Sequence, residues 1–228
     1  MFGRPVTLIL GFALLMTMAA ATAVADEREV LPGGGSATLA AAPTGGAEVS
    51  SSSFERTAAH TIERLGGEAL AIAADKTLSD EDRADRFRAM LARELDIPTL
   101  ARFAVARGWR RAEPADRDAY VDAFSDYILA RYGAVLDGAR DVERFAVVGA
   151  RRISDGDATV TTRLTLVDGR QLVVAWRMRD VNGDAKILDI VVEGMSAAQT
   201  LRQEFTAVLR ANAGRMAALI AVLRERAG

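Results

Sequence analysis

The sequence predicts an α+β domain in which a four-stranded antiparallel meander is covered on one face by helices. Between residues 54 and 139, apolar residues recur at three- and four-residue steps, which is typical of amphipathic helices. From residue 142 to residue 192 the period becomes two, and Asp-Gly or Asn-Gly pairs separate the apolar runs, as in strands joined by hairpins. Helical spacing returns from residue 196. Helices on both sides of a run of strands indicate an α+β domain.

The first 25 residues have the pattern of a secretory signal peptide. Arg4 gives a positive end, the run Val6–Met18 is apolar but short for a membrane span, and Ala23–Ala25 is a small-x-small cleavage site. We expect cleavage after Ala25; an uncleaved anchor is the alternative. Residues 26–53 are rich in glycine, alanine and serine, which predicts a flexible leader before a folded domain at residues 54–228.

The composition narrows the class of protein. The chain has 228 residues, of which 50% are hydrophobic and 26% charged, which suits one globular domain with a real core. The absence of cysteine excludes a disulfide framework, a zinc–thiolate site and a cysteine-linked lipid anchor. A net charge of −2 without a basic stripe and interleaved aromatics argues against nucleic-acid binding. An exported, cysteine-free, acidic protein fits a resident of a bacterial periplasm.

Three helices precede the longest one. The first is predicted from Phe54 to Ala74, with the pair Gly66-Gly67 as a candidate bend or break. Ser79 is the predicted N-cap of the second helix, because Asp82 follows three residues on and acids fill the first turn. Asp96 caps a third helix, with a proline in its first turn, that we expect to end at Arg107.

The longest helix is predicted from Pro114 to Ala139 and carries aromatic residues on one face. Aromatics make up only 6% of the chain, so their concentration on one helix favours a packing role, and we expect this helix to lie against the sheet. Two further helices are predicted after the strands, at about 196–212 and 213–226. The apolar face of the long helix consists of Tyr120, Phe124, Tyr127, Ile128, Tyr132, Val135 and Leu136.

The last predicted strand leads into a corner that contains a carboxylate. Leu188, Ile190 and Val192 are expected to face inward, which puts Glu193 on the other side of the strand. We interpret Glu193 as a structural acid, salt-bridged or helping to cap the next helix, rather than as a general base. A glycine then permits the tight corner, and Ser196 is the predicted N-cap of the helix that follows.

No catalytic constellation is visible in the sequence. The only histidine, His60, has no nucleophile motif to accompany it and is expected on the surface. The acidic run Asp80–Asp85 lacks the spacing of a calcium loop and lies where a helix start favours acids. A pair of facing glycosidase carboxylates is not excluded by the sequence, but nothing specific proposes one. We therefore predict a binding protein that is not an enzyme and needs no metal or cofactor.

Two separated motifs resemble those of a known family. The segment "LARELDIPTLARFAVARGWRRAEPADRDAYVDAFSDYILARYGAVLDG" and the later segment "KILDIVVEGMSAAQTLRQEF" are similar to the MlaC, or toluene-tolerance, family. The resemblance extends over about residues 54–226 in the same order and spacing. The sequence departs from the family pattern at Ala185, where a tryptophan is common, and at Gly108, where a tyrosine often precedes the tryptophan.

The resemblance implies a periplasmic phospholipid carrier of an ABC lipid transport system, with an apolar ligand cavity between sheet and helices. Its implied partners are an inner-membrane ABC complex and an outer-membrane lipoprotein–porin complex, between which a monomer shuttles lipid and maintains outer-membrane lipid asymmetry. The candidate lipid-binding residues are Phe103, Trp109, Tyr120, Phe124, Tyr127, Ile128 and Tyr132 from the helices, and Phe145, Val147, Val160, Leu164, Leu166, Val174, Trp176, Met178, Ile190 and Val192 from the strands.

Several alternatives stay open at this point. The same inward residues would also form an ordinary solid core, which only a cavity would distinguish. The ligand could be another envelope lipid such as a hopanoid, and the protein could be a small exported enzyme or a non-catalytic envelope scaffold. Arg107, Arg110 and Arg111 beside Trp109 are either solvated helix-end charges or lie near a phosphate at the mouth of the pocket.

Overall fold

A computed structural model of the chain describes residues 53–133 and 139–228. The predicted signal peptide, the leader up to residue 52, and Val135 and Leu136 of the predicted aromatic face lie outside the described residues. The described elements are, in chain order, α1 (Ser53–Ala74), α2 (Asp80–Glu94), α3 (Ile97–Val105), α4 (Arg107–Arg111), α5 (Pro114–Gly133), β1 (Val142–Ser154), β2 (Asp157–Leu166), β3 (Gln171–Val181), β4 (Asp184–Val192), β5 (Met195–Ser196), α6 (Ala197–Ala211) and α7 (Met216–Ala227).

The strands form one antiparallel sheet in the order β1-β2-β3-β4-β5. The α+β class and the meander of β1 to β4 are therefore as predicted, but the sheet has five strands rather than four. The fifth forms because Glu193 and Gly194 both adopt positive φ, 51° and 82°, which returns the chain against β4. Two consecutive residues of positive φ are the requirement of a tight hairpin turn, so the predicted corner is a short hairpin.

Helix α1 is the helix that lies along the inner face of the sheet, against β1 and β2 above all. A Cβ added to Gly66 would come within 2.4 Å of the Phe145 ring of β1, so the glycine lets helix and strand approach closely. At the far end, the buried carboxylate of Glu55 accepts a hydrogen bond from the backbone amide of Arg152. The helix shows no break at Gly66-Gly67.

The long helix α5 packs among helices rather than on the sheet, which corrects the predicted arrangement. Its principal neighbour is α7, and α2 and α3 also contact it. Phe124 of α5 is fully buried and meets Phe205 of α6 edge to face, with ring centroids 6.0 Å apart. Amphipathic spacing predicted the buried side of this helix correctly, but it contains no information about which element covers that side.

Three of the predicted helix starts are confirmed by their capping geometry. The side chains of Ser79, Asp96 and Ser196 accept hydrogen bonds from backbone amides three residues on, at 3.0, 3.2 and 3.0 Å. The third helix ends earlier than expected, because Val105 is followed by Ala106 with a φ of 47°. The tryptophan segment beyond it is a separate short helix, α4.

A β-bulge changes the inward face of the last long strand. The register between β3 and β4 shifts after Arg177, so that Met178 pairs with Ile187 and Leu188 is the extra residue. Leu188 was expected to share the inner face with Ile190, but Ile187, fully buried, is the residue that takes this position. Within the described ranges, no helix has the length and apolar character needed to cross a bilayer.

Candidate functional site

The inner face of the sheet is closed at one end. The row formed by Ala158, Met178 and Ile187 on β2, β3 and β4 has exposed fractions of 0, 1 and 0%. Val160, on the next row, is also fully buried. Two of the predicted lipid-binding residues, Val160 and Met178, therefore belong to the buried core, although Val160 pairs with the partly exposed Trp176.

Beyond that closed row, large apolar side chains of the same face remain partly exposed. They come from four strands and are brought together by the register, which pairs Phe145 with Leu164 and Trp176 with Ile190. Their partial exposure distinguishes this part of the inner face, which we call the open end, from the closed row, and the predicted apolar cavity between sheet and helices stays a prediction. The partly exposed residues of this open end are Phe145, Val147, Leu164, Leu172, Trp176 and Ile190.

A single hydrogen-bonded threonine fixes the largest ring of the open end. The indole Nε1 of Trp176 donates to Oγ1 of Thr162 at 2.9 Å, and that hydroxyl donates to the carbonyl of Val174 at 3.4 Å. Thr162 is fully buried, so the polar atom of the indole is satisfied inside the protein. The rest of the tryptophan ring offers apolar surface only, which suits contact with hydrocarbon.

The buried residues that lie next to the open end on the same face are apolar as well. Val174 and Val192 face each other across β3 and β4 and are almost fully buried, as is Leu166 at the end of β2. In the described sheet, beyond the closed row, Thr162 is the one polar residue that the register places among these inward-facing positions. The sheet side of this arrangement can therefore bury hydrocarbon.

The structure does not bring the buried helical aromatics together with the open end. Tyr120, Phe124, Tyr127 and Ile128 lie in the core between helices. The Tyr120 hydroxyl donates to the carbonyl of Ala101 at 3.0 Å, and burial raises the pKa of this tyrosine well above its usual value. The hydrogen bond gives Tyr120 a structural contact, and the predicted role of all four side chains in lipid binding stays a prediction.

Trp109 lies at a different part of the molecule, whereas Phe103 lies against Arg202, about one turn from the start of α6. Gly108 lies against Leu209, near the end of α6, whereas the sheet meets α6 at its beginning, where Ala198 donates to a β4 side chain. Eleven helical residues separate the two points, which is roughly 17 Å along the axis. Both aromatics instead carry arginine side chains on their faces.

Tyr132, at the end of α5, lies nearer to the sheet. Burial raises its pKa to about 12, and the charges that act on it include those of Arg131, Glu204 and Asp189 of β4. Arg131 pairs with Glu204 of α6 at 3.3 Å and stacks over the ring of Tyr127 at 5.7 Å. This partly buried group of side chains joins α5 to α6.

The structural acid of the strand-to-helix segment is Asp189 rather than Glu193. Asp189 is 6% exposed and accepts hydrogen bonds from the Ser196 hydroxyl at 2.6 Å and the Ala198 amide at 2.9 Å. Glu193 is exposed in the hairpin turn, which corrects its predicted capping role. The sequence did contain a signal for this role of Asp189: it lies inside an apolar run, seven residues before the serine that caps the next helix. Leu172 and Thr162 were likewise missing from the predicted site.

Two comparisons bear on these observations. A family model described as MlaC protein matches residues 63–225 of the chain. Among solved structures, the phospholipid-binding protein from Ralstonia solanacearum, determined in complex with a phospholipid, is similar to it with a TM-score of 0.64. The two chains are 21% identical, and the match covers 75% of this chain and 96% of the other. At this identity the likeness shows the α+β fold.

Proposed function

The chain belongs to the MlaC family, as its motifs predicted, and from this we propose that it is a phospholipid carrier that holds acyl chains against the open end of its sheet. The supporting observation is the partial exposure of six large apolar side chains on an inner sheet face. The similar protein from Ralstonia solanacearum was determined with a phospholipid bound, which supports the same ligand class here. A carrier binds and releases its ligand unchanged, so no catalytic group is required.

The physical need for such a carrier is large. Two acyl chains contain roughly 30 methylene groups, and burial is worth about 0.8 kcal/mol for each. Moving a free phospholipid through water therefore costs on the order of 20 kcal/mol or more. A protein that covers the chains with apolar side chains removes this barrier, while the head group stays in solvent and needs few contacts.

In this proposal the protein acts in the periplasm as a monomer, after cleavage of its signal peptide. It would take phospholipid from one membrane complex and deliver it to another, between an outer-membrane lipoprotein–porin complex and an inner-membrane ABC complex, and so maintain lipid asymmetry. The direction is set by the partners, because binding at the open end is symmetric. The apolar surface of Trp176 and Phe145 also suits the rings of a hopanoid, which is the alternative cargo.

Extraction of the purified protein with organic solvent tests the proposal. We expect phospholipid in stoichiometric amount by mass spectrometry, and a clean extract from the folded protein would overturn the carrier function. Recovery of hopanoid instead would change the cargo and keep the site.

Two neighbouring valines of β3 provide a matched pair of variants. Val174→Asp places a charge on the inner face, where the side chain is 6% exposed, and we expect it to abolish lipid recovery. Val173→Asp places the same charge on the opposite face, at 51% exposure, and we expect lipid recovery to be unchanged. Equal lipid loading in folded samples of both variants would remove the site from this end of the sheet.

A further inference from the structure

One end of the helical layer concentrates positive charge around two aromatic rings. The whole chain carries a net charge of −2, yet residues 102–117 contain five arginines and two acids. Within the described part of the chain, none of the arginines of this surface forms an ion pair with an acidic side chain. We define the arginine surface as Arg102, Arg107, Arg110, Arg111, Arg117 and Arg202.

The two rings hold three of these guanidinium groups in place. Arg102 and Arg117 lie over Trp109, with 5.9 and 5.6 Å from each guanidinium carbon to the ring centroid. Arg202, on α6, lies 5.1 Å from the centroid of Phe103. The backbone carbonyl of Trp109 accepts a further hydrogen bond from Arg117 at 2.9 Å, so the tryptophan segment and the start of α5 are tied together. The stacked arginines stay close to partly exposed aromatic surface.

We propose that the arginine surface docks the protein on bilayers that contain anionic phospholipid. Guanidinium groups bind phosphate in a planar, bidentate manner, and tryptophan favours the interface between head groups and hydrocarbon. Clustered arginines near such a surface attract it through its negative potential. The acids close by, Glu113, Asp116 and Asp118 at the start of α5, are fewer than the arginines of the surface.

The Trp109 part of the arginine surface is distant from the sheet. Gly108 packs against Leu209 near the end of α6, whereas that helix meets β4 at Ala198, and Arg202 is the member of the surface that lies nearer to this start. Substitutions of Arg110 and Arg111 beside Trp109 are therefore expected to leave the sheet unchanged. Bilayer docking and lipid loading can be measured independently on the same variants.

Sedimentation with lipid vesicles tests the docking. At low salt, the purified protein is expected to bind vesicles of phosphatidylglycerol and phosphatidylcholine and not vesicles of phosphatidylcholine alone, and added salt should reverse the binding. Each arginine near an anionic surface contributes about fivefold in partitioning, so the double variant Arg110→Gln/Arg111→Gln is expected to lose about 25-fold. The control is Arg144→Gln/Arg163→Gln, which removes the same charge from exposed positions on the outer face of the sheet and should retain binding.

Four outcomes decide the proposal. Loss of binding in the arginine-surface variant alone supports it. Equal loss in both double variants, or equal binding of the wild-type protein to charged and neutral vesicles, overturns it. Binding to polyglutamate without binding to anionic vesicles also overturns it and favours an acidic protein partner. Solvent extraction of the same samples tests the carrier function separately from the docking. Absence of phospholipid from every variant would contradict the carrier function and would not change the conclusion about vesicle binding.

Discussion

The close contact between Gly66 and Phe145 gives a sharp test of the packing between α1 and the sheet. Gly66 and Gly67 are adjacent in one helix, but only Gly66 faces the sheet. A Cβ on Gly66 would lie 2.4 Å from two atoms of the Phe145 ring, whereas a Cβ on Gly67 would meet no atom within 4 Å. Gly66→Ala and Gly67→Ala therefore make the same chemical change with opposite packing consequences.

The expected magnitudes follow from helix propensity and overpacking. Replacing glycine by alanine inside a helix gains about 0.8–1.0 kcal/mol, so Gly67→Ala should stabilise the protein by about that amount. Gly66→Ala has the same gain, but the added methyl group forces the ring out of its position, which costs about 1–3 kcal/mol in a packed interior. The displaced ring would also move into the open end of the sheet, so lipid recovery should fall in Gly66→Ala and stay normal in Gly67→Ala.

Urea denaturation at equal protein concentration measures the difference. We expect Gly66→Ala to unfold at a lower urea midpoint than Gly67→Ala, with a gap in the free energy of unfolding of about 1–3 kcal/mol and a similar slope. A third variant, Gly66→Ala/Phe145→Ala, removes the ring and should abolish the coupling between the two positions. Equal midpoints for the two alanine variants would refute the close approach of helix and ring.

Three further predictions concern buried polar groups, and each is checked by urea denaturation. Asp189→Asn should lower the free energy of unfolding by about 2–3 kcal/mol, because the carboxylate that accepts two hydrogen bonds from the start of the next helix loses its charge. The control Glu193→Gln should change the free energy of unfolding by less than about 0.5 kcal/mol. Tyr120→Phe should cost about 1 kcal/mol, since the Ala101 carbonyl loses its donor, and should leave lipid recovery unchanged. Burial works against ionisation of Glu94, but hydrogen bonds from two arginines hold its pKa below the usual value. The contribution of ionised Glu94 to the free energy of unfolding is therefore present above the unfolded-state pKa and is lost as the pH falls through the folded-state pKa. Glu94→Gln should therefore lose less stability on acidification than the wild-type protein does.

The parts of the fold that the sequence predicts correctly are those with a local chemical cause. Asn182 and Gly183 both have positive φ between β3 and β4, as an Asn-Gly pair in a two-residue hairpin requires. Ser79 and Ser196 cap helices because their hydroxyls reach amides only three residues away. Such features depend on neighbours in the chain, and sequence order alone specifies those neighbours.

The errors arise where a distant part of the chain decides the outcome. Gly66 looked like a helix breaker by propensity, but its function is to let a strand 79 residues further on approach the helix. A period of two carries no sign of a bulge, so the displacement of Leu188 was invisible until its pairing partner was known. The predicted lipid-binding role of Trp109 stays a prediction, because spacing on a helix does not show that this partly exposed ring lies among arginine side chains.

The division of the sheet face explains how one domain can be both stable and able to hold a mobile ligand. The closed row and the helical core, which includes Phe124 and Phe205, supply the buried apolar area that stabilises the fold. The open end leaves apolar side chains partly in water, which costs about 25 cal/mol for each Å² that a ligand could cover. Any lipid that covers it therefore binds the folded state alone and raises the free energy of unfolding with ligand occupancy. Thr162 contributes to this arrangement, because its hydroxyl accepts the hydrogen bond of the Trp176 indole nitrogen, and the rest of the ring carries no polar atom.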